Sequence, residues 1–116
     1  MPKNRWGIPG WLEREVLARD AACVYCGVRF GEPDAPRRDR ASWEHIVNDA
    51  RITTRDNIAL RCVGCNASKG RRDVGVWLAG RYCEAKGITP ETVAPIVQRA
   101  LQRRPTLDDV SDAPSP

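Results

Sequence analysis

The chain has one histidine, His45, among its 116 residues. It has no apolar run approaching the length of a membrane span, and its N-terminus, MPKNRWGIPG, lacks the hydrophobic core of a signal peptide. These absences argue against a helical membrane anchor and a secreted protein. A cytoplasmic chain is expected, and its thiols stay reduced. Lysine is scarce as well, since sixteen of the 19 basic residues are Arg. A solvated surface would use Lys as readily, so the bias favours fork-like contacts to phosphate or carboxylate.

The net charge is +4, but Asp108, Asp109 and Asp112 lie in the last twelve residues, and no Lys or Arg follows Arg104. Without those three acids, 19 basic residues face 12 acidic ones, a net charge of +7. A basic body points to a polyanion, most simply nucleic acid. A merely soluble basic surface is the plainer alternative, and charge alone does not choose between them. The length suggests one domain with a modest core, a size at which a metal or disulfide staple is often needed.

Along the chain, residues 1–9 read as an irregular basic arm broken by Pro2, Gly7 and Pro9. GWLEREVLARD reads as a short amphipathic helix through Leu12 and Val16 that ends near Asp20. CVYCG is a tight turn closed by Gly27, and RFGEPDAPRRDR is a loop. ASWEHIV is expected as a strand, RITT as a short strand, and IALRC as a second strand or a helical turn. Helix should return in NASKGRRD and continue through DVGVWLAGRYCEAKG, where Val74, Trp77, Leu78 and Tyr82 have helical spacing and Gly87 is a natural stop. A last helix is expected in ITPETVAPIVQRALQRR, with Thr89 as cap and Pro90 in the first turn. Pro95 conflicts with that start, because inside a helix it costs about 3 kcal/mol; the regular part would then begin near it. The fold class is α+β. One domain spans 1–104, with a core at about 12–72 and flanking helices at about 74–104; an acidic, Pro-rich, disordered tail follows at 105–116.

Five cysteines are present. Cys23 and Cys26 form one CxxC pair, Cys62 and Cys65 another, and 35 residues separate the two pairs. Two such knuckles from distant segments converge readily on one tetrahedral Zn²⁺, and four thiolates fill its coordination sphere. Such an ion is structural and supplies much of the folding free energy of a small domain. A thioredoxin-like redox pair or buried free thiols are the alternatives. Cys83 falls in an apolar helical pattern and reads as a small buried hydrophobe.

If the sulfurs saturate the zinc, His45 is not required there. It lies between the knuckles, Glu44 precedes it, and Asn66 directly follows Cys65. The order Cys23-Val-Tyr-Cys26, Glu44-His45, Asp56-Asn57-Ile58 and Cys62-Val-Gly-Cys65-Asn66-Ala-Ser-Lys69-Gly70 resembles the HNH endonucleases of the zinc-bearing kind, over about residues 12–72. The resemblance implies a ββα-metal (His-Me finger) fold, two strands and a helix around one catalytic divalent ion. It implies His45 as general base, Asn57 as the residue orienting the loop between the strands, and Glu44 and Asn66 as ligands of a catalytic Mg²⁺ or Mn²⁺. The founding pattern has His where this chain has Asn66. Many relatives carry a proline where Asn48 stands, and the glycines frequent in the following loop are absent. These departures affect loop shape more than chemistry.

The residue types suit the chemistry on their own account. A neutral imidazole takes a proton from water near neutral pH, and a carboxylate with an amide oxygen suits a hard dication. Glu44 and His45 are adjacent, so a regular strand would point them to opposite faces. Convergence on one site would need a twist or bulge. Read singly, Glu44 is equally a solvent-facing strand residue, Asn57 a turn residue and Asn66 a helix cap. Arg37, Arg38 and Arg40 before the strand, Lys69, Arg71 and Arg72 after the second knuckle, and Lys3 and Arg5 on the arm are expected to hold the backbone of double-stranded DNA; a solvated basic face is the alternative. The leading expectation is a metal-dependent DNA endonuclease, a nickase when monomeric. A homodimer or a protein partner would supply double-strand cleavage or specificity. The competing expectations are a non-catalytic zinc-stabilised module binding nucleic acid or protein, and a redox protein.

Overall fold

The computed structural model describes residues 4–109. Two five-residue strands form its only sheet among the described residues: β1, Ala41–His45, and β2, Ile58–Cys62. They pair antiparallel, with Ala41 opposite Cys62, Trp43 opposite Leu60, Glu44 opposite Ala59 and His45 opposite Ile58. IALRC is thus a strand, and the alternation of a pleated pair gives the ribbon two faces. Trp43, His45, Ile58 and Leu60 fall on one face; Ser42, Glu44, Ala59 and Arg61 fall on the other.

The first face is covered by α1, Gly10–Arg19. Leu12 and Val16 are fully buried and join Ile8, Trp43, Ile58 and Leu60 in one apolar cluster. Burying side chains of this size stabilises by about 1.5–3 kcal/mol each. Polar contacts set the angle of the helix. Asp20, just past its end, accepts a hydrogen bond from the Leu60 backbone N–H at 3.0 Å. Arg19 grips Asp20 at 2.7 Å and donates to the Ile58 carbonyl at 2.7 Å.

The second face carries α2, Val63–Lys69, which begins directly where β2 ends. Cys62 caps it, its sulfur accepting from the Cys65 N–H at 3.3 Å. The helix starts three residues earlier than NASKGRRD suggested and stops at Gly70, whose φ of 52° closes it. Because α2 reverses direction after β2 and packs on both strands, it runs back along the ribbon toward the His45 end.

The expected long helix over 73–87 is instead two short ones, α3, Val74–Leu78, and α4, Arg81–Lys86. Gly80 interrupts them with an extended backbone, and a Cβ there would come within 3.2 Å of the Trp77 carbonyl. Asp73 caps α3 by accepting from Gly75 and Val76 N–H at 3.0 and 3.2 Å. Gly87 ends α4 in the left-handed conformation, as expected. The last helix, α5, is Pro95–Gln102, with Pro95 at its start, where a missing N–H costs nothing. Thr89 therefore does not cap it, but organises a separate turn with Thr92. Helices α3 to α5 and the first knuckle build the larger core around Trp77, Leu78, Cys83, Ile88, Val93, Ile96 and Val97. Cys83 is fully buried there, as its pattern implied, and burial pushes its thiol up to about 11.

One further expectation changes. RITT is not a strand: Ile52 N–H donates to the Asp49 carbonyl at 3.0 Å and Thr53 Oγ1 to the Ala50 carbonyl at 3.1 Å, so the segment is turned. The acidic tail is described only as far as Asp109. Leu107–Asp109 make a 3-10 turn, and Asp109 pairs with Arg103 at 3.1 Å. Residues 110–116, and Lys3 on the arm, lie outside the described residues. No helix among the described residues is long and apolar enough to cross a membrane.

Candidate functional site

The two knuckles meet at the end of the ribbon distant from His45. The first is a turn closed by Gly27, whose φ of 78° suits glycine alone, with its N–H donating to the Cys23 carbonyl at 3.0 Å. The backbone ties it to β2, since Val24 N–H donates to the Leu60 carbonyl at 3.1 Å. The sulfurs of Cys23, Cys26, Cys62 and Cys65 all lie within 4.8 Å of one another, with Cys26 and Cys62 at 3.7 Å. Four sulfurs at Zn–S lengths on a tetrahedron stand about 3.8 Å apart. The four cysteines are therefore positioned to bind a metal ion, in an arrangement consistent with structural zinc. Their thiols share one proton network. The neighbouring thiols, Cys23 first, hold Cys26 far below the usual thiol range, while Cys62 and Cys65 are pushed up by the same crowd. A dication replacing those protons relieves the crowding. Tyr82 adds a hydroxyl at 3.6 Å from the Cys65 sulfur.

At the other end of the ribbon the twelve-residue connection 46–57 is held by Asn57, which is completely buried. Its Oδ1 accepts from Val47 N–H at 2.8 Å, and its Nδ2 donates to the carbonyls of Val47 and Ile52 at 3.2 and 3.0 Å. Asn57 thus staples the start and the middle of the loop to its end.

His45 is the last residue of β1 and is only 8% exposed. Its Nε2 is buried and makes no hydrogen bond. Trp6 of the N-terminal segment presents against the ring at 5.9 Å between centroids, with the planes at 64°. Burial first, then the charge of Arg61 and that of Lys69, hold the imidazole below its ordinary pKa, against an opposing pull from Asp49. The neutral form is favoured, which is the form able to accept a proton.

Glu44 lies on the opposite face. Strand pairing continues in register through His45 with no extra residue, so no bulge brings the two side chains together. Glu44 is 1% exposed and its carboxylate is fully engaged. Oε1 meets Arg61 Nη1 at 2.6 Å, Oε2 meets Lys69 Nζ at 3.1 Å, and the Tyr25 hydroxyl donates to Oε2. Burial, then the Glu44 charge, pushes the Tyr25 hydroxyl well above its usual range, which keeps it a donor. Asn66, on α2, accepts from Arg61 Nη2 at 2.6 Å through its Oδ1. Arg61 therefore bridges the two residues expected to hold a catalytic divalent ion. As arranged, that donor pair does not fit such an ion: its oxygens already serve a guanidinium and an ammonium, and the cluster has one carboxylate against two cations.

The basic residues divide. Arg37, Arg38, Arg40, Arg71 and Arg72 are exposed. Arg37 and Arg38 lie on a 3-10 turn, Arg37–Asp39, packed near the start of α2. That is the cysteine end, about 13 Å from His45 at the rise of a strand. Arg71 and Arg72 follow α2 at the His45 end. Lys69 is not a surface contact, as expected from its sequence, but is completely buried against Glu44.

Arg61, Tyr25 and Trp6 were missed by reading the sequence. The signal for the first was an arginine inside an otherwise apolar strand, IALRC. Compared with protein-family models, with curated protein sequences and with solved structures, the chain gives no match in any of the three.

Proposed function

We propose that the chain is a nucleic-acid endonuclease of the zinc-bearing HNH type, acting on double-stranded DNA, with His45 as general base and zinc on the four cysteines. The observation that carries this reading is His45 itself. A buried imidazole with an unpartnered nitrogen, at the end of a hairpin whose far end meets four clustered sulfurs, is costly to keep for packing alone. Asn57 stapling the loop next to it is the role the resemblance gave that residue.

In this reading water attacks the phosphorus in line while the His45 imidazole takes its proton. The bond to the 3′ oxygen breaks, and that oxygen takes a proton from solvent, leaving a 5′ phosphate and a 3′ hydroxyl. Arg71 and Arg72 hold flanking backbone close to His45, and Arg37, Arg38 and Arg40 hold it further along.

The test is nicking of supercoiled plasmid by the zinc-loaded chain, with Mg²⁺ or Mn²⁺ supplied. Wild type should nick, and His45→Ala should not, while its zinc content and circular dichroism stay unchanged. Equal nicking by both would refute the assignment. A second reading, a non-catalytic nucleic-acid-binding module, draws on the engagement of Glu44 and Asn66 by Arg61. It predicts salt-dependent DNA binding without nicking under any divalent ion.

A further inference from the structure

We infer that Trp6 is a stacking platform for an unpaired nucleobase beside His45. This deepens the proposed function and rests on its nucleic-acid part, not on cleavage.

The platform is built by the short segment before α1. Asn4 Oδ1 accepts from the N–H groups of Trp6 and Ile8 at 3.2 and 3.1 Å. Its Nδ2 donates to the Ile8 carbonyl at 2.8 Å and to Glu13 Oε2 of α1 at 3.0 Å. Ile8 is buried in the apolar cluster on the first face of the ribbon. The segment is thus pinned at both ends, and its tip, residues 5–7, is exposed. Trp6 stays 43% exposed on that tip, whereas Trp43 and Trp77 are almost completely buried.

The 64° angle between the Trp6 and His45 planes makes theirs an edge-to-face contact, which uses an edge of one ring and a face of the other. The indole therefore keeps at least one face clear of the imidazole, and its exposure puts ring surface in solvent. Every nucleobase offers a π-face, so such a surface takes bases without regard to sequence. Inside a duplex those faces are spent on the neighbouring pairs. The ligand selected is a nucleotide outside a duplex stack, in a single strand, a bulge or a frayed end. Charge favours the same occupant. Arg5, beside Trp6, and Arg71, at the His45 end, are exposed, and no acid pairs with either among the described residues. An apolar protein segment would leave both without a counter-charge; a nucleotide brings its phosphate. A base seated on Trp6 carries that phosphate to the His45 end of the ribbon.

The experiment titrates a short single-stranded oligo-dT into the zinc-loaded full chain with no other divalent ion, reading tryptophan fluorescence and affinity. Trp6 is the one exposed tryptophan of four, so stacking should quench mainly its emission. Trp6→Ala should lose that quenching and bind about tenfold more weakly, and Trp6→Phe should recover part of the affinity. A blunt duplex and inorganic polyphosphate, which present charge without a free base, should bind both chains within about twofold. Equal oligo-dT affinity in wild type and Trp6→Ala would overturn the proposal. So would an equal loss on polyphosphate, or no binding of oligo-dT by wild type. Should Trp6→Ala lose native zinc content or circular dichroism, the wild-type chain decides alone: quenching by oligo-dT and not by polyphosphate supports stacking, and any other pattern overturns it. Nicking is not read, so a chain that stacks oligo-dT and never nicks plasmid refutes only the nuclease reading, and one that nicks while Trp6→Ala binds as well as wild type refutes only this one.

Discussion

Replacing Asn57 by alanine should destabilise the chain by about 3 kcal/mol. The side chain makes three hydrogen bonds, all to main-chain groups: Val47 N–H, the Val47 carbonyl and the Ile52 carbonyl. Each contributes about 1 kcal/mol net, and each main-chain group left unpaired carries a desolvation cost of similar size if water cannot reach it. Asn57 is completely buried, and Ile46 and Ile52 beside it are nearly so, which keeps water out. Against a total stability of about 5–15 kcal/mol, a loss of this size is large. With a urea m-value of about 2 kcal/mol/M, the unfolding midpoint of the metal-loaded chain should fall by roughly 1.5 M at unchanged m. Amide hydrogen exchange at Val47 should accelerate alongside. Asn57→Asp sharpens the test, since it preserves volume and the acceptor for Val47 but replaces the twice-donating Nδ2 with one oxygen facing both carbonyls. It should be at least as damaging as alanine near neutral pH. A loss below about 1 kcal/mol, with the Val47 amide still protected, would mean that the loop is held by its apolar residues instead of by this staple.

Metal removal is expected to be more severe. A strong chelator, or Cys65→Ser, should collapse near-ultraviolet circular dichroism, and elemental analysis of the native chain should find about one zinc; a metal-free chain with native signal would contradict a structural ion. Glu44→Ala leaves Arg61 and Lys69 without their shared anion and should cost about 3–5 kcal/mol in urea unfolding. Lys69→Met should cost clearly less, because Glu44 keeps Arg61 and Tyr25; equal losses would refute the view that Glu44 is the hub. Asp73→Ala should cost about 1 kcal/mol as a lost helix cap. The Arg104 contact and then the Val76 N–H hold the Asp73 carboxyl below its usual pKa, so its stabilisation is full above the ordinary carboxylate range and fades as pH falls through the lowered value. The gap between wild type and Asp73→Ala should thus be flat from neutral pH to about pH 5 and shrink below about pH 4; a gap that widens in acid would contradict the sign.

The four-cysteine cluster was legible because metal binding leaves its requirement in residue identity and spacing, and two CxxC turns satisfy it in few ways. The strand carrying His45 and the stop at Gly87 were legible for similar local reasons. The break between α3 and α4 was not. Val74, Trp77, Leu78 and Tyr82 keep helical spacing across it, and Gly80 alone does not announce an interruption that a helix interior would tolerate at about 1 kcal/mol. What decides it is tertiary: Trp77 is held both by its Nε1 hydrogen bond to Ser68 Oγ at 2.9 Å and by Tyr25 packed edge-on at 4.9 Å, and the chain bends to keep both. Pro95 is the opposite case, where a residue that conflicted with the expected helix marked its true first position.

The candidate site shows a different limit. A motif names the donors of a site, but the groups that fold back onto those donors come from other parts of the pattern. Glu44 sits on the inner face of the ribbon because residues alternate along β1, and an ionised carboxylate there must be paired. The chain meets that demand with three groups from three segments: Tyr25 inside the first knuckle, Arg61 from the facing strand, and Lys69 from the helix after the second knuckle. Two of these lie within three residues of a cysteine, so the sulfur cluster that fixes the knuckles also delivers the partners that engage Glu44. Arg61 is the least buried member of the set, and it bridges Glu44 to Asn66 on the face of the ribbon opposite His45.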